Sequence, residues 1–153
     1  MPRTGFGAAL LAVLMASGCF LFGKGDGKPP TVEVTVTAAD RLNPDESGSS
    51  LPTIVRIYLL KAPGKGEVAE FSDLYQRDKE LLGEELVLVE QMVLSPGEIA
   101  TRKLAPEKAA GAVLVMGVFR KPVGQTWRSV AVLPQGKDVK LSFQAADYRI
   151  ERR

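Results

Sequence analysis

TVEVTVTA, residues 31–38, alternates strictly between apolar and polar side chains. On an extended chain its valines point to one face, and its glutamate and threonines point to the other. This period of two, built mainly from β-branched residues, predicts a half-buried β-strand. The segment therefore indicates a domain of sheets that each pack one face against a core.

Six further segments have the composition of strands, and residues typical of turns separate them. They cover residues 54–60, 86–94, 99–104, 112–120, 126–133 and 139–145. The segment AVLVMGVFR at 112–120 is apolar on both faces, which is typical of a buried central strand. Seven strands joined by turns predict a mostly β fold, an antiparallel two-sheet β-sandwich.

A helical insertion interrupts the strands. Five apolar residues recur there at helical spacing: Val68, Phe71, Leu74, Tyr75 and Leu82. Apolar residues three and four apart line one face of a helix, and charged residues fill the gaps. The spacing predicts one or two short amphipathic helices near residues 67–83, ended by Gly83 and preceded by a turn at residues 61–66.

A long segment at residues 39–53, ADRLNPDESGSSLPT, separates the first two predicted strands. Pro44 fixes one backbone torsion, and the side chains of Asn43 and Asp45 can bond to the nearby main chain. We expect Leu42 to be exposed in this loop. A shaped loop with an apolar tip beside an acid suits protein recognition, and a solvated connector is the equal alternative.

The first nineteen residues have the pattern of a bacterial lipoprotein signal. Arg3 precedes an apolar stretch at residues 5–16, which is too short to span a bilayer. Small residues at 16–18 then precede Cys19, the one cysteine of the chain. We predict cleavage before Cys19 and acylation of its sulfur, which would attach the protein to a membrane.

These features divide the chain into three parts. Residues 1–18 are predicted to be the lipoprotein signal peptide. Residues 19–30 would hold the lipid anchor and a flexible linker rich in glycine and proline. Residues 31–153 would form the β-sandwich domain, which is long enough to bury a core without disulfides or metals.

Catalysis is the function class that the composition argues against most strongly. The sequence contains no histidine, and its single cysteine is the predicted acylation site. This removes histidine-dependent nucleophile pairs, the commonest metal ligand and the usual general base near neutral pH. The sequence predicts no enzyme, no metal site and no cofactor, and a Ser-Lys dyad is the one catalytic alternative left open.

The charge balance argues against nucleic acid as a partner. The chain has 20 basic and 18 acidic residues, a net charge of +2, and no basic cluster. Arg56 and Arg120 lie inside apolar segments, where we expect them to pair with acids such as Asp73 or Asp78. Trp127, the only tryptophan, is predicted to pack in the core.

Several segments, taken in order, resemble the TssJ family (also called SciN or VasD), the outer-membrane lipoproteins of type VI secretion. They are LNPDESG at 42–48, VRIYLL at 55–60, FSDLY at 71–75, Leu82-Gly83, LSPGE at 94–98, GVFR at 117–120 and Trp127-Arg128. The similarity extends from Val32 to Val132, behind the lipoprotein signal.

The resemblance implies a transthyretin-like β-sandwich held by lipid on the periplasmic face of the outer membrane. It also implies binding to the periplasmic domain of the inner-membrane protein TssM, within a TssJ-TssL-TssM complex, with neither nucleic acid nor a small-molecule substrate. In the family, the loop between the first two strands contacts TssM. Carried onto this sequence, the partner-binding residues are Leu42, Asn43, Pro44, Asp45 and Gly48.

Two other functions remain open on the sequence alone. A periplasmic lipoprotein that binds an apolar ligand or assists envelope assembly would have an apolar cavity inside its sandwich. An enzyme with a Ser-Lys dyad would hold a serine and a lysine within hydrogen-bond reach in a cleft. The structure of the domain bears on both of these alternatives.

Overall fold

The structure, a computed structural model, describes residues 27–153 of the chain. The predicted signal peptide, Cys19 and most of the predicted linker lie outside the described residues. Within residues 27–153, eight strands, two helices and one 3-10 turn follow one another. They are β1 (Val32–Leu42), β2 (Thr53–Leu60), α1 (Gly64–Val68), α2 (Phe71–Leu82), the turn Gly83–Glu85, β3 (Leu86–Leu94), β4 (Ile99–Leu104), β5 (Ala112–Val118), β6 (Arg128–Val132), β7 (Val139–Asp147) and β8 (Arg149–Arg152).

The strands form two four-stranded sheets that pack face to face. One sheet has the order β4-β1-β7-β8 and the other has the order β3-β2-β5-β6. Alternate side chains from both sheets fill the space between them: Val34 and Val36 of β1, and Val55 and Ile57 of β2, are fully buried. The predicted two-sheet sandwich is confirmed, and the alternation within residues 31–38 explains how β1 joins it.

One pairing departs from the antiparallel prediction. β1 is antiparallel to β4 on one side but parallel to β7 on the other. A parallel neighbour cannot be joined by a tight turn, and here β2 to β6 intervene along the chain. The alternation of a single strand does not encode the direction of its neighbours, so the sequence could not predict this pair.

The strand β8 is absent from the sequence prediction. It is an edge strand that pairs only with β7 in the sheet, in antiparallel register. Of its four residues, only Ile150 is buried, and the other three are charged. Charged residues are common on edge strands, where they oppose pairing with other chains, but they remove the apolar alternation that identifies a strand.

The predicted helical insertion is present, and its start needs a correction. α2 ends at Leu82, and Gly83 follows with a positive φ of 52°. α1 begins at Gly64, inside the segment predicted as a turn. Gly66 of α1 lies directly over the side chains of Leu60 and Leu114, where a Cβ would be within 3 Å of either one. The position of this helix is therefore determined by the close packing of Gly66 on the sheet, and not by a row of apolar side chains on one face of the helix.

α2 lies over the outer face of β2, so that residues of this strand are buried on both sides. Tyr58 is fully buried, and its hydroxyl donates a 3.2 Å hydrogen bond to Asp78 on α2. Arg56 donates to the carbonyl of Tyr75 at 2.8 Å and lies 3.6 Å from the Asp78 carboxylate, an acidic pairing that the sequence predicted. Burial raises the pKa of Tyr58 to about 12.

Trp127 packs the helical insertion against the sheet β3-β2-β5-β6. It is 2% exposed and packs edge-on against Phe71 of α2, with ring centroids 5.2 Å apart. The neighbouring Arg128 stacks on Trp127 and donates hydrogen bonds to the carbonyls of Glu67, at the end of α1, and Ala69, between α1 and α2. The predicted core position of Trp127 is confirmed. None of the helices within residues 27–153 has the length and apolar character that a membrane crossing requires.

Candidate functional site

The loop between β1 and β2 begins later than predicted. β1 continues to Leu42, so residues 39–42 of the predicted loop are strand, with an irregular register against β7 between Ala38 and Leu42. The true loop, residues 43–52, passes from one sheet to the other at the end of the sandwich. This shift changes which of the predicted contact residues reach solvent.

Leu42 is not the exposed tip that the sequence suggested. It is 0% exposed, Asn43 is 4% exposed, and Pro44 is buried beside them. β1 extends to Leu42, which lies on the same face of the strand as Val34 and Val36, and the polar stretch at residues 39–41 concealed this continuation. The prediction that Leu42 is exposed is wrong, and these three residues support the loop from below.

The exposed part of the loop is short and polar. Residues 46–49 are exposed and Asp45 is partly buried; we call residues 45–49 the crest. Gly48 has a φ of 85°, a left-handed conformation that glycine adopts without steric cost. The crest therefore presents carboxylates, hydroxyls and main-chain groups, with no apolar side chain among its five residues.

Asp45 gives the crest its shape. Its Oδ1 accepts hydrogen bonds from the Ser47 backbone N–H at 2.9 Å, the Ser47 hydroxyl at 2.7 Å and the Ser49 N–H at 2.9 Å. The Asp45 N–H in turn donates to the Ser49 carbonyl at 2.9 Å. These hydrogen bonds, first the one from the Ser47 side chain, lower the pKa of Asp45. The crest is thus shaped by its own hydrogen bonds, as in other Asx turns.

Asn43 joins the loop to two other loops at the same end of the sandwich. Its φ is 45°, which is uncommon outside glycine but tolerated by asparagine. The Asn43 Oδ1 accepts a 2.9 Å hydrogen bond from the backbone N–H of Arg120, and its own N–H donates to the Asp147 carbonyl at 2.7 Å. Next to it, the Tyr148 hydroxyl donates to the Pro44 carbonyl. Asn43 is therefore a positioning residue.

A second link joins the crest to the loop after β5. The Arg120 guanidinium contacts both carboxylate oxygens of Glu46, at 2.9 and 3.1 Å. A hydrogen bond from its own backbone and the Arg120 side chain lower the pKa of Glu46. The sequence predicted an acidic partner for Arg120, and the structure identifies it as Glu46. Because both groups are exposed, the pair contributes more to orientation than to stability.

The loop at residues 119–127 adds an apolar element that sequence reasoning missed. Val123 is 62% exposed and lines a shallow cleft of about 220 Å³ with Thr126, Asp147, Tyr148 and Arg149. The exposure of Val123 could not be predicted from its sequence. The surrounding residues, KPVGQ, do not alternate between apolar and polar with the period of a strand or a helix. The crest, this cleft and the β7–β8 turn lie together at one end of the sandwich.

The linker joins the domain at the other end. The described chain enters β1 at Val32, and the loop begins where β1 ends at Leu42. Eleven extended residues separate these points by roughly 33 Å. The crest therefore lies at the opposite end of the domain from the point where the described chain enters β1.

A groove beside β3 does not match the ligand-carrier alternative, and among residues 27–153 no serine hydroxyl is hydrogen-bonded to a lysine. No group of three or more His, Cys, Asp or Glu side chains could hold a metal ion among these residues. A groove of about 610 Å³ opens beside the start of β3, where Lys61, Glu84 and Lys108 share its lining with Leu86 and Leu88. It is a charged surface groove and not the apolar interior cavity that a ligand carrier would need.

Comparison with known proteins identifies the family. Residues 30–148 match the family model described as type VI secretion lipoprotein, VasD, EvfM, TssJ. The chain belongs to the type VI secretion lipoprotein family. The resemblance drawn from the sequence segments is thereby confirmed. Among curated protein sequences, no match is found.

Solved structures show the same fold. The T6SS lipoprotein TssJ1 from Pseudomonas aeruginosa has a TM-score of 0.72 at 24% identity, with 82% of this chain and 97% of that chain covered. A chain in a structure described as a type VI membrane complex has a TM-score of 0.73 at 22% identity, covering 82% and 99%. A chain in a structure described as the T6SS protein TssM C-terminal domain from EAEC has a TM-score of 0.69 at 22% identity, covering 80% and 99%. At these identities the likeness is one of fold.

Proposed function

We propose that this type VI secretion lipoprotein is anchored through acylated Cys19 to the periplasmic face of the outer membrane, where its crest docks the periplasmic domain of TssM. In this role it is a structural member of a TssJ-TssL-TssM complex and not an enzyme. Membership of the family supports the secretion role. Chains of the same fold in a type VI membrane complex and in a structure of the TssM C-terminal domain support the partner.

The observation that carries the proposal is the placement of the crest relative to the linker. β1 separates them by roughly 33 Å, about the length of a small domain. A protein held at its linker end by lipid would direct the crest away from the membrane. A partner that reaches across the periplasm from the inner membrane would meet that end first.

The bonding of the crest supports docking for a second reason. Binding is opposed by the entropy lost when loops and side chains become ordered. Asp45 already bonds to Ser47 and Ser49, and Asn43 and Glu46 already fix the crest to the loop at Arg120. A crest shaped before contact would lose less entropy when a partner binds.

The burial of each residue changes the set of residues that we propose to contact TssM. Asp45 and Gly48 remain in it as members of the crest, joined by Glu46 and Ser47 and by Val123 in the neighbouring cleft. Leu42, Asn43 and Pro44 are too buried to touch a partner and act by positioning the crest. This combination of a polar rim with one apolar side chain suits a protein surface.

Fractionation tests the anchor. Replacing Cys19 with alanine removes the thiol that would carry the lipid, and we expect the variant to move from the membrane fraction to the soluble periplasmic fraction. Incorporation of labelled palmitate should be lost in parallel. A Cys19→Ala variant that still cosediments with outer membranes would contradict the anchor.

Titration of the protein with the periplasmic domain of TssM tests the docking. We expect Val123→Asp and Glu46→Lys to weaken binding by about tenfold or more, as replacement of central contacts does. The matched control is Val132→Asp, because Val132 is 67% exposed and lies at the linker end of β6. Equal losses from Val123→Asp and Val132→Asp would reject the crest as the docking site.

A further inference from the structure

One secondary-structure element lies between the linker and the crest. From Gly27 onward, the chain reaches residue 45 through β1 alone, and every other strand and both helices follow the crest in sequence. The proposed anchor and the crest are therefore connected by a covalent path that avoids most of the domain.

β1 is paired with a neighbouring strand on both sides from Val32 to Thr37. Residues 32–37 pair with β4, and residues 32–38 and Leu42 pair with β7. Near the end of the strand, Arg41 contacts the Asp147 carboxylate at 2.7 Å, and just beyond it the Asn43 backbone N–H donates to the Asp147 carbonyl at 2.7 Å. Both neighbouring strands and the β7–β8 turn thus hold β1 and the start of the loop in place beneath the crest.

We infer that β1 is the tension-bearing strut of the docked protein, so that a pull between membrane and partner runs along its covalent backbone. The inference rests on the proposed function, since it needs an anchor before residue 27 and a partner on the crest. A force applied to both ends of one strand does not slide that strand past its neighbours. A force applied to the start of β1 and the end of β8 would instead pull apart the sheet in which β7 lies between these two strands.

The lengths of the two paths make the difference measurable. A strand rises about 3.3 Å per residue, close to the limit of 3.3–3.6 Å for a fully extended chain. Stretching the segment between Lys28 and Ser47 can therefore add only about 20 Å, even if the loop is drawn out. Stretching the chain from Lys28 to Arg153 adds roughly 400 Å once the domain unfolds.

Single-molecule pulling tests the inference on the whole chain with Cys19→Ser. One version carries handles at Lys28→Cys and Ser47→Cys, and the matched version carries them at Lys28→Cys and Arg153→Cys; all three attachment residues are exposed. We expect the second version to lengthen by roughly 400 Å in one step. At the force that unfolds half of those molecules, the first version should show no step.

A step of about 20 Å in the first version at that force or below it would show that β1 is stripped from its neighbours, and would overturn the inference. Titration with the TssM domain separates this failure from a failure of docking. Partner binding that persists beside such a step would reject the strut alone. If the TssM domain proves to bind at the linker end, no force would pass along β1 between anchor and partner. That result would reject both the docking site and the strut.

Discussion

The side-chain oxygen of Asn43 lies 2.9 Å from the backbone nitrogen of Arg120, a residue 77 positions later in the chain. This hydrogen bond joins the end of β1 to the loop after β5, which belongs to the other sheet. The Arg120 side chain then returns to Glu46 on the crest. The crest and the loop at residues 119–127 therefore form one surface.

Removal of the Asn43 side chain should loosen this junction. We expect Asn43→Ala to lower the free energy of unfolding by about 1–3 kcal/mol, because it leaves the Arg120 N–H without its acceptor. Asn43→Gly is the matched variant, since glycine accepts the φ of 45° and isolates the loss of the hydrogen bond. In urea denaturation, the free energy of unfolding of Asn43→Gly should lie between those of the wild type and Asn43→Ala. An alanine variant as stable as the wild type would contradict the positioning role.

Leu42 should behave as a core residue and not as a contact residue. We expect Leu42→Ala to lower the free energy of unfolding by about 2–5 kcal/mol, as other buried leucines do. The control is Ile99→Ala, at a residue that is 67% exposed on β4, where a change within about 0.5 kcal/mol is expected. An unchanged melting temperature for Leu42→Ala would restore the original expectation of an exposed tip.

Asp45 should titrate below its ordinary value. Its hydrogen bonds favour the charged form and lower its pKa, so the stability it contributes is fully present above pH 3.8 and is lost as the pH falls through the lowered pKa. NMR shifts of the Ser47 and Ser49 amides should report this titration with a midpoint below 3.8. A midpoint at or above the ordinary value would show that the crest hydrogen bonds do not form in solution.

Tyr58 should make the domain sensitive to alkali. Because burial raises its folded pKa to about 12 from an ordinary value of 10.0, the neutral hydroxyl stabilises the fold below pH 10. That contribution should be lost as the pH rises from 10.0 to about 12, where the unfolded state releases the proton first. Urea denaturation at a series of pH values should show this part of the stability curve flattened in the Tyr58→Phe variant, and an unflattened curve would contradict the role of the buried hydroxyl.

Local pattern was sufficient for most of the architecture. Val32, Val34 and Val36 predicted a strand with one buried face, and the segment at residues 112–120 predicted a central strand; both follow from burial alone. The strand β8 and the helix α1 were missed because charged edge residues and a closely packed glycine leave no periodic signal.

The candidate site was harder to predict because its geometry depends on distant residues. Asp45 and Gly48 could be selected from local turn chemistry. Leu42 was misplaced because the polar residues at 39–41 concealed the continuation of β1, on which Leu42 lies on the same face as Val34 and Val36. The partners of Asn43 and Glu46 lie more than 70 positions away, and Val123 becomes part of the site only through folding.

The central claim is that the crest end, and not the linker end, meets TssM in the envelope. Site-specific photocrosslinking in cells tests it directly, with the probe at Ser47 on the crest or at Lys137 in the exposed loop before β7. We expect a crosslink to TssM from residue 47 and none from residue 137. A crosslink from residue 137 without one from residue 47 would contradict it.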